Sequence, residues 1–512
     1  MNPLLGVPHA WQGYDEEIKM EKLKISANQR YFETESGKPF IWIADTAWTI
    51  PQRMKWDDVE YYMKKRKSQG FTVLQIVALD PERDVEMRNP AGEKALIDDD
   101  LTKPNEQYFK YLDWIIDEAE QNEMYVLLLP VWGQLVVGED WSGNTYEKTV
   151  TEENAYQYGE WIGQRYANRN NILWCLGGDR QPIHKQKDDY RDVWRRLAEG
   201  LGKGLTGQDL KYNENHEIWK ELLITYHACY EQETGECSTF SYWDDQEAWI
   251  SFIMLQSGHG TTVKNYELIK KEYNREHVMP VWDGEPAYEA MPNCWPITGD
   301  ACFHEADIVR KRAYWSLLSG AFGYTYGHCN VWCSISEKER NFISTTDWFE
   351  ALDSEGSQQI KYMHVLIKSL QLYNSKPCQE ILLEQQKKED VLDEHVQAAI
   401  TADGTNLCIY FQKAGEETLD MDKFGDDQSE YFGWWYNPQN GKFYHLDGQE
   451  TEKALVYNVE NQKLKINTPA AEENQDWILI LRKEDGDAPV ERVEIVEENE
   501  EGEGEVKKVF EW

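Results

Sequence analysis

Between residues 22 and 372 the chain repeats one pattern, a short apolar run followed by a stretch of helical or loop-like sequence. The apolar runs fall at 40–46, 72–79, 125–132, 171–177, 222–227, 250–256, 278–282 and 322–326. Apolar residues recur at helical spacing in 56–68, 108–121, 155–167, 190–201, 263–273 and 306–319. Strands that alternate with helices pair in parallel, because the helix returns the chain to the end at which the strand began. Eight such units predict an α/β fold, a closed (β/α)8 TIM barrel rather than an open doubly wound sheet. An open nucleotide-binding sheet would carry a glycine-rich loop after its first strand. Asp45-Thr46-Ala47-Trp48 stands there instead, so a dinucleotide site has no support. The unit at 228–249 lacks a clean helix and reads as a long loop over the barrel mouth. In 306–319, Ile308, Ala313, Leu317 and Leu318 predict an apolar stripe opposite a basic one of Arg310, Lys311 and Arg312.

From about residue 376 the texture changes. Short β-type runs at 380–383, 396–401, 406–411, 431–436, 453–457, 463–466 and 477–481 are separated by turn signals such as Asp403-Gly404, Asn440-Gly441 and Asp447-Gly448. They predict a small antiparallel β-sandwich. The expected organisation is an N-terminal extension over 1–21, packed outside the barrel, the catalytic barrel over 22–375, and the sandwich over 376–483. Residues 484–512 are dense in Glu and Gly and read equally as an acidic tail or as a terminal hairpin of 490–496 with 506–512.

The 512 residues, 41% of them hydrophobic, are enough for one large barrel and a smaller domain. A formal net charge of -40 repels polyanions, so nucleic acid and anionic membrane are not expected partners. None of the nine cysteines falls in a C-x-x-C pair, and Cys175, Cys302 and Cys408 lie in apolar runs, where they are expected to pack as small hydrophobes. Reduced thiols and an N-terminus without a basic start or a long apolar stretch predict a cytoplasmic protein. No apolar run approaches the length of a membrane span.

Parallel barrels present their chemistry at the C-terminal ends of the strands. Asp45, Asp80, Asp179, His227, His259, Glu285 and His328 all fall at such ends. Asp179 follows Ile172-Leu-Trp-Cys-Leu-Gly-Gly178, and Glu285 follows Val281-Trp-Asp-Gly284. Strands four and seven lie across the barrel from each other, so the two carboxyls are placed to meet at the mouth. Two carboxyls about one sugar apart are what glycosidic cleavage uses, one to protonate the leaving oxygen and one on the opposite face of the ring. The plainer alternatives are a helix N-cap or an ion pair with Arg180 for Asp179, and a backbone-capping turn residue for Glu285. Arg180 is a candidate to hold a carboxylate ionised or grip a hydroxyl. His227, His259 and His328 are candidates for hydrogen bonds to sugar hydroxyls, with Asp45 beside them. Trp48, Trp132, Tyr288 and Trp332, from a chain with 22 Trp and 29 Tyr, are candidates to stack on a sugar ring. A metal-dependent amidohydrolase barrel would carry H-x-H after its first strand and a lysine after its fourth, and neither is present. Ser257-Gly258-His259 lacks the G-x-S-x-G frame of a nucleophile elbow. No cofactor or metal is expected.

The segments Gly37-Lys-Pro-Phe-Ile-Trp-Ile-Ala-Asp45-Thr-Ala-Trp48, Gly70-Phe-Thr-Val-Leu-Gln75, Asn171-Ile-Leu-Trp with Gly177-Gly-Asp179-Arg180, Gln256-Ser-Gly-His259, Gly284-Glu285-Pro286 and Gly320-Ala-Phe-Gly-Tyr-Thr-Tyr-Gly-His328 resemble the apiosidase-like glycoside hydrolases, family 140. Trp434-Trp-Tyr-Asn-Pro438 resembles the sandwich that follows in that family. The resemblance implies exo-acting removal of a terminal sugar such as apiose. It is similar, more broadly, to retaining barrel glycosidases, which implies Asp179 as acid/base and Glu285 as nucleophile. One departure is that the broader group carries Asn-Glu after strand four, where this chain has Gly-Asp. Collagen binding, attached by name to such sandwiches, finds no support in 376–482. The expected activity is retaining exo-hydrolysis of a plant-type glycan or glycoside, with carbohydrate as the partner and homo-oligomerisation left open. The competing readings are a non-catalytic glycan-binding barrel and a metal-dependent barrel hydrolase.

Overall fold

The computed structural model describes residues 19–293, 297, 302–387, 392–425, 428–469, 475–491 and 493. Eight parallel strands form the barrel: β1 Trp42–Thr46, β2 Val73–Val77, β3 Tyr125–Leu129, β4 Ile172–Gly177, β5 Ile224–His227, β6 Ile253–Leu255, β7 Val281–Asp283 and β8 Gly323–Tyr326. Backbone pairing runs β6-β7-β8-β1-β2-β3-β4-β5, so β8 pairs with β1 as a closed barrel requires. Every residue of these strands is buried, which is why each reads as an unbroken apolar run rather than an alternating one.

The seam between β5 and β6 is closed largely by side chains. Ser251 N–H donates to Ile224 O at 2.8 Å and Thr225 Oγ1 donates to Phe252 O at 2.6 Å. Thr239, from the loop predicted at 228–249, inserts its hydroxyl between Tyr226 O (2.8 Å) and Met254 N–H (2.9 Å). The loop thus completes the wall as well as overhanging the mouth. At the opposite end a hairpin, Leu23–Ile25 with Phe32–Thr34, drives Phe32 among Trp42, Phe252 and Phe322 and stops the barrel from below. Residues 1–18, most of the expected extension, and 494–512, which hold most of the expected tail hairpin, lie outside the described residues.

The predicted helices are present as Trp56–Ser68, Glu106–Gln121, Glu152–Tyr166, Arg191–Thr206, Asn265–Tyr273 and Ala306–Leu318. A further helix, Glu355–Leu370, completes the eighth unit and was not anticipated. It is largely buried between barrel and sandwich, with Glu355, Gln358, Lys361, Lys368 and Ser369 forming a narrow polar strip. The predicted basic stripe of Ala306–Leu318 is corrected. Consecutive residues step about 100° around a helix, so Arg310 and Arg312 point to opposite sides, and both are buried.

The C-terminal unit is antiparallel: β9 Lys376–Pro377, β10 Val396–Ile400, β11 Asn406–Phe411, β12 Glu416–Asp420, β13 Glu430–Asn437, β14 Lys442–Tyr444, β15 Leu455–Asn458, β16 Lys463–Asn467 and β17 Trp477–Arg482. One sheet runs β9-β10-β11-β17-β13-β14, with β15 also on β13, and β12 pairs with β16 in the second. Leu407, Ile409, Phe411, Trp435, Leu464, Ile466 and Leu479 fill the space between them. The run expected at 380–383 is a 3-10 turn, Gln379–Ile381, rather than a strand. Cys175 and Cys408 are buried as expected, whereas Cys302 is exposed. Among the described residues, no helix is long and apolar enough to cross a membrane.

The two domains share a buried polar junction. Arg310 Nε lies 3.0 Å from Asp476 Oδ2, Tyr410 O–H donates to the same oxygen at 3.0 Å, and Arg310 Nη1 donates to Gln359 Oε1 at 2.6 Å. Removing one partner of such a pair strands the other charge away from water. Asp476→Ala is therefore expected to destabilise the protein by about 3–5 kcal/mol, while an Arg310→Met/Asp476→Leu double variant loses far less. Urea or thermal unfolding of the full chain measures both.

Candidate active site

At the end of β4 the chain turns through three successive residues in the left-handed region: Gly177 (φ 90°), Gly178 (φ 103°) and Asp179 (φ 51°). A Cβ at Gly178 would stand 2.7 Å from Trp132 Cε3, so only glycine fits against that ring. The turn lifts Asp179 over the mouth, with its side chain 15% exposed. Its backbone N–H donates to His227 Nδ1 at 3.2 Å. Accepting at Nδ1 leaves the proton of a neutral His227 on Nε2, and that atom is 2.9 Å from Glu285 Oε2. The contact is close but angled away from a linear hydrogen bond. One buried imidazole therefore touches both acidic loops, and its ring lies against Trp48 at 5.5 Å between centroids.

His259 repeats the arrangement on the other side. Its Nδ1 accepts from Tyr288 N–H at 3.3 Å, and its Nε2 faces Glu285 Oε1 at 3.9 Å. The loop holding Glu285 is itself fixed. Glu285 O accepts from Gly258 N–H at 3.0 Å, and Gln75 Nε2 donates to Gly284 O at 3.0 Å from inside the barrel. Asp283 accepts from the Ser257 hydroxyl at 2.7 Å and from Asn265 Nδ2 at 3.1 Å. Gln256 orients Asp179: its Oε1 takes Tyr230 N–H at 3.1 Å, which turns its Nε2 toward Asp179 Oδ1 at 2.7 Å. Oδ2 faces Arg180 Nη1 at 3.9 Å.

Electrostatics separates the two carboxyls. Burial, then the neighbouring Glu285 charge, raises Asp179 well above the usual carboxylate range, against the opposing pull of Arg180 and Gln256. Burial also pushes Glu285 upward, but His227, His259 and the Tyr288 hydroxyl outweigh it and the net shift is downward. Burial pushes His259 down to about 4, against the upward pull of Glu285. A third carboxyl, Glu82, accepts from Trp132 Nε1 at 3.0 Å, and burial raises it too. Behind it Asp80, buried and next to Glu82, is pushed up to about 8.

These groups line a cavity of about 570 Å³ at the C-terminal end of the barrel, bounded by Trp48, Glu82, Trp132, Trp141, Asp179, Tyr230, Gln256, His259, Glu285, Tyr288 and Trp332, among others. That volume is within the range of small-molecule sites. Of the residues expected here, Asp179, Glu285, Trp48, Trp132, His259, Tyr288 and Trp332 reach the cavity. His227 lies directly beneath, between the two carboxyls. Arg180 is buried beside it, donating from Nη1 to Asp179 O at 2.7 Å. Asp45 does not reach the cavity. Its Oδ2 accepts from Arg66 Nε at 2.7 Å and from the Tyr62 hydroxyl, all fully buried behind β1. Nor does His328, which is buried, accepts Asn330 N–H at Nδ1 (3.0 Å) and is pushed down to about 3 by burial. Sequence reasoning passed over Glu82, Trp141, Tyr230 and Gln256 as lining groups; Glu82, two residues past Asp80, and Gln256, which ends the run at 250–256, carried the signal of a strand end. Among the described residues, no group of three or more His, Cys, Asp or Glu is arranged to hold a metal ion.

An acidic pair at the mouth of a (β/α)8 barrel is the arrangement of a glycoside hydrolase, and comparison with known proteins agrees. The family model for the apiosidase-like catalytic domain matches residues 26–374, and the chain belongs to that family. Residues 377–482 match the model for a collagen-binding-like domain of a collagenase. A solved glycoside hydrolase superposes with a TM-score of 0.73 at 24% identity, covering 90% of this chain and 97% of its own. A family 5 glycoside hydrolase from Bacteroides vulgatus ATCC 8482 superposes with a TM-score of 0.73 at 23% identity, covering 90% and 92%. At these identities the likeness speaks for the fold. No curated protein matches the sequence.

The strand-four turn gives a direct test of the site's construction. Gly178→Ala would place a Cβ at φ 103° and against Trp132, at a cost of about 1–2 kcal/mol from the backbone alone. Thermal unfolding is expected to show at least that loss, and near-ultraviolet circular dichroism a displaced tryptophan.

Proposed function

We propose that the protein is a retaining exo-glycoside hydrolase of the family 140 type, removing a terminal sugar, apiose or a close analogue, from a plant-type glycan or glycoside. The observation that carries this reading is the His227 bridge, which sets Asp179 and Glu285 across one cavity and accompanies opposite shifts in their acidity. Two carboxyls with separated pKa values divide into an acid and a nucleophile. Glu285, ionised, attacks the anomeric carbon as Asp179 Oδ2 gives its proton to the departing oxygen. The glycosyl–Glu285 ester is then opened by a water whose proton returns to Asp179, which regenerates both groups and leaves the anomeric configuration unchanged. A terminal sugar is suited to a cavity walled by Trp48, Trp132, Tyr288 and Trp332, whose rings offer flat faces to a sugar's C–H surface. The same family membership supports apiose as the first candidate. Cys175, Cys229, Cys237, Cys329, Cys333, Cys378 and Cys408 are free and buried, which supports a reducing, cytoplasmic setting.

Glu285→Gln and Asp179→Asn are each expected to lower kcat on aryl glycosides by at least about 10²–10⁴-fold while leaving the unfolding temperature nearly unchanged. Near-normal turnover by either variant rejects the assignment. The first product, followed by NMR, should keep the anomer of the substrate.

The pH profile follows from the two shifts. Activity requires Asp179 protonated and Glu285 ionised. Rate should therefore fall as pH rises through the raised pKa of Asp179, and fall on the acid side only below the ordinary glutamate range. Gln256→Leu removes a donor that favours ionised Asp179, so the alkaline limb should move to higher pH.

A further inference from the structure

Trp141 is the one exposed tryptophan among the described residues, at 61%, and it lines the cavity. A bare indole is costly to leave in water, and this one is held in place. The Arg180 guanidinium lies 3.9 Å from its ring centroid, on one face. Arg180 cannot shift, because it is buried and donates to Asp179 O at 2.7 Å and to Glu139 O at 3.3 Å. The turn that carries Trp141 is fixed as well, with Asp140 Oδ1 accepting from Ser142 N–H (2.9 Å) and Asn144 N–H (2.8 Å). One face of the indole rests on a cation and the other is open.

Its position says what the open face takes. The guanidinium under Trp141 lies 3.9 Å, at Nη1, from Asp179 Oδ2, so Trp141 stands on the flank of the acid, the side from which the leaving oxygen must receive its proton. We propose that Trp141 is the platform of the leaving-group subsite, and that its ligand is the next sugar ring of a glycan, stacked through its apolar face. This rests on the glycosidase reading of Asp179 and Glu285. A 4-nitrophenyl ring offers the same flat face and serves as the probe.

The test pairs glycosides of one terminal sugar carrying 4-nitrophenyl or methyl as leaving group. Trp141→Ala should raise KM at least tenfold for the 4-nitrophenyl glycoside and less than twofold for the methyl glycoside, and Trp141→Phe should recover most of the loss. Saturation-transfer NMR on Glu285→Gln provides a readout independent of turnover. Saturation of the aryl protons should fall at least fivefold when Trp141→Ala is added, while that of the sugar protons persists. Equal effects on both leaving groups, or aryl saturation that is absent or indifferent to Trp141, overturns the platform. Normal turnover by Glu285→Gln would instead overturn the glycosidase reading, and the aryl saturation would still report on Trp141.

Discussion

His227 is fully buried, and both of its ring nitrogens are engaged by the chemistry above it. Nδ1 takes the backbone N–H of Asp179, and Nε2 faces the carboxylate of Glu285. The first contact fixes the tautomer, and the tautomer decides that a donor rather than a lone pair meets Glu285. The width of one imidazole thereby becomes the spacer between two loops that are more than one hundred residues apart in the chain. Trp48 against its ring and Gly178 against Trp132 leave the spacer no room to tilt. A mouth built from eight independent loops would otherwise have no common reference for its two acids.

The same cavity gathers Glu82, Asp179 and Glu285, with Asp80 buried behind Glu82, in a chain whose net charge is already -40. Four ionised carboxyls in low dielectric would repel one another strongly, and the cations close by are few, Arg180 and Arg83 being those that act on them. The structure resolves the conflict by surrounding the carboxyls unequally. Glu285 stands between two imidazoles, with His227 Nε2 at 2.9 Å and His259 Nε2 at 3.9 Å, and is shifted downward. Asp179 receives one amide donor and, with Glu82 and Asp80, is pushed toward holding a proton. The two carboxyls are thereby shifted in opposite directions, Asp179 upward and Glu285 downward.

Much of this was legible in the sequence. The eight apolar runs mark the eight strands because each strand is buried on both faces, and a Gly-Gly pair before an acidic residue announces a sharp turn at a strand end. What stayed hidden depends on partners distant in sequence. Asp45 ends β1 as a catalytic residue would, yet Arg66 and Tyr62 lie one helix later and seal it away. His328 looks equivalent to His227 and His259 in sequence, but its Nδ1 is consumed by its own turn. Glu355–Leu370 keeps only a narrow polar strip, Glu355, Gln358, Lys361 and Lys368, because most of its surface is covered. Glu82 and Trp141 sit on loops, where hydrophobic pattern carries no information about which way a side chain faces.

The separation into two domains, clear as a change of texture near residue 376, is weaker in the folded molecule. Ala306–Leu318 sends Arg310 to Asp476 of the sandwich and, two residues on, sends Arg312 Nη2 to Gly260 O at 2.7 Å, beside His259. One helix thus grips the sandwich with one face and the neighbourhood of His259 and Glu285 with the other. Tyr314 against Tyr410, and the Tyr436 hydroxyl bonded to Tyr362 O at 3.0 Å, extend the contact into a core that both domains share. Stripping away the sandwich would expose that apolar surface and leave Arg310 without its carboxylate, on the helix that supports the loop carrying His259. The sandwich is therefore part of what holds the active-site geometry, whatever else its outer surface does.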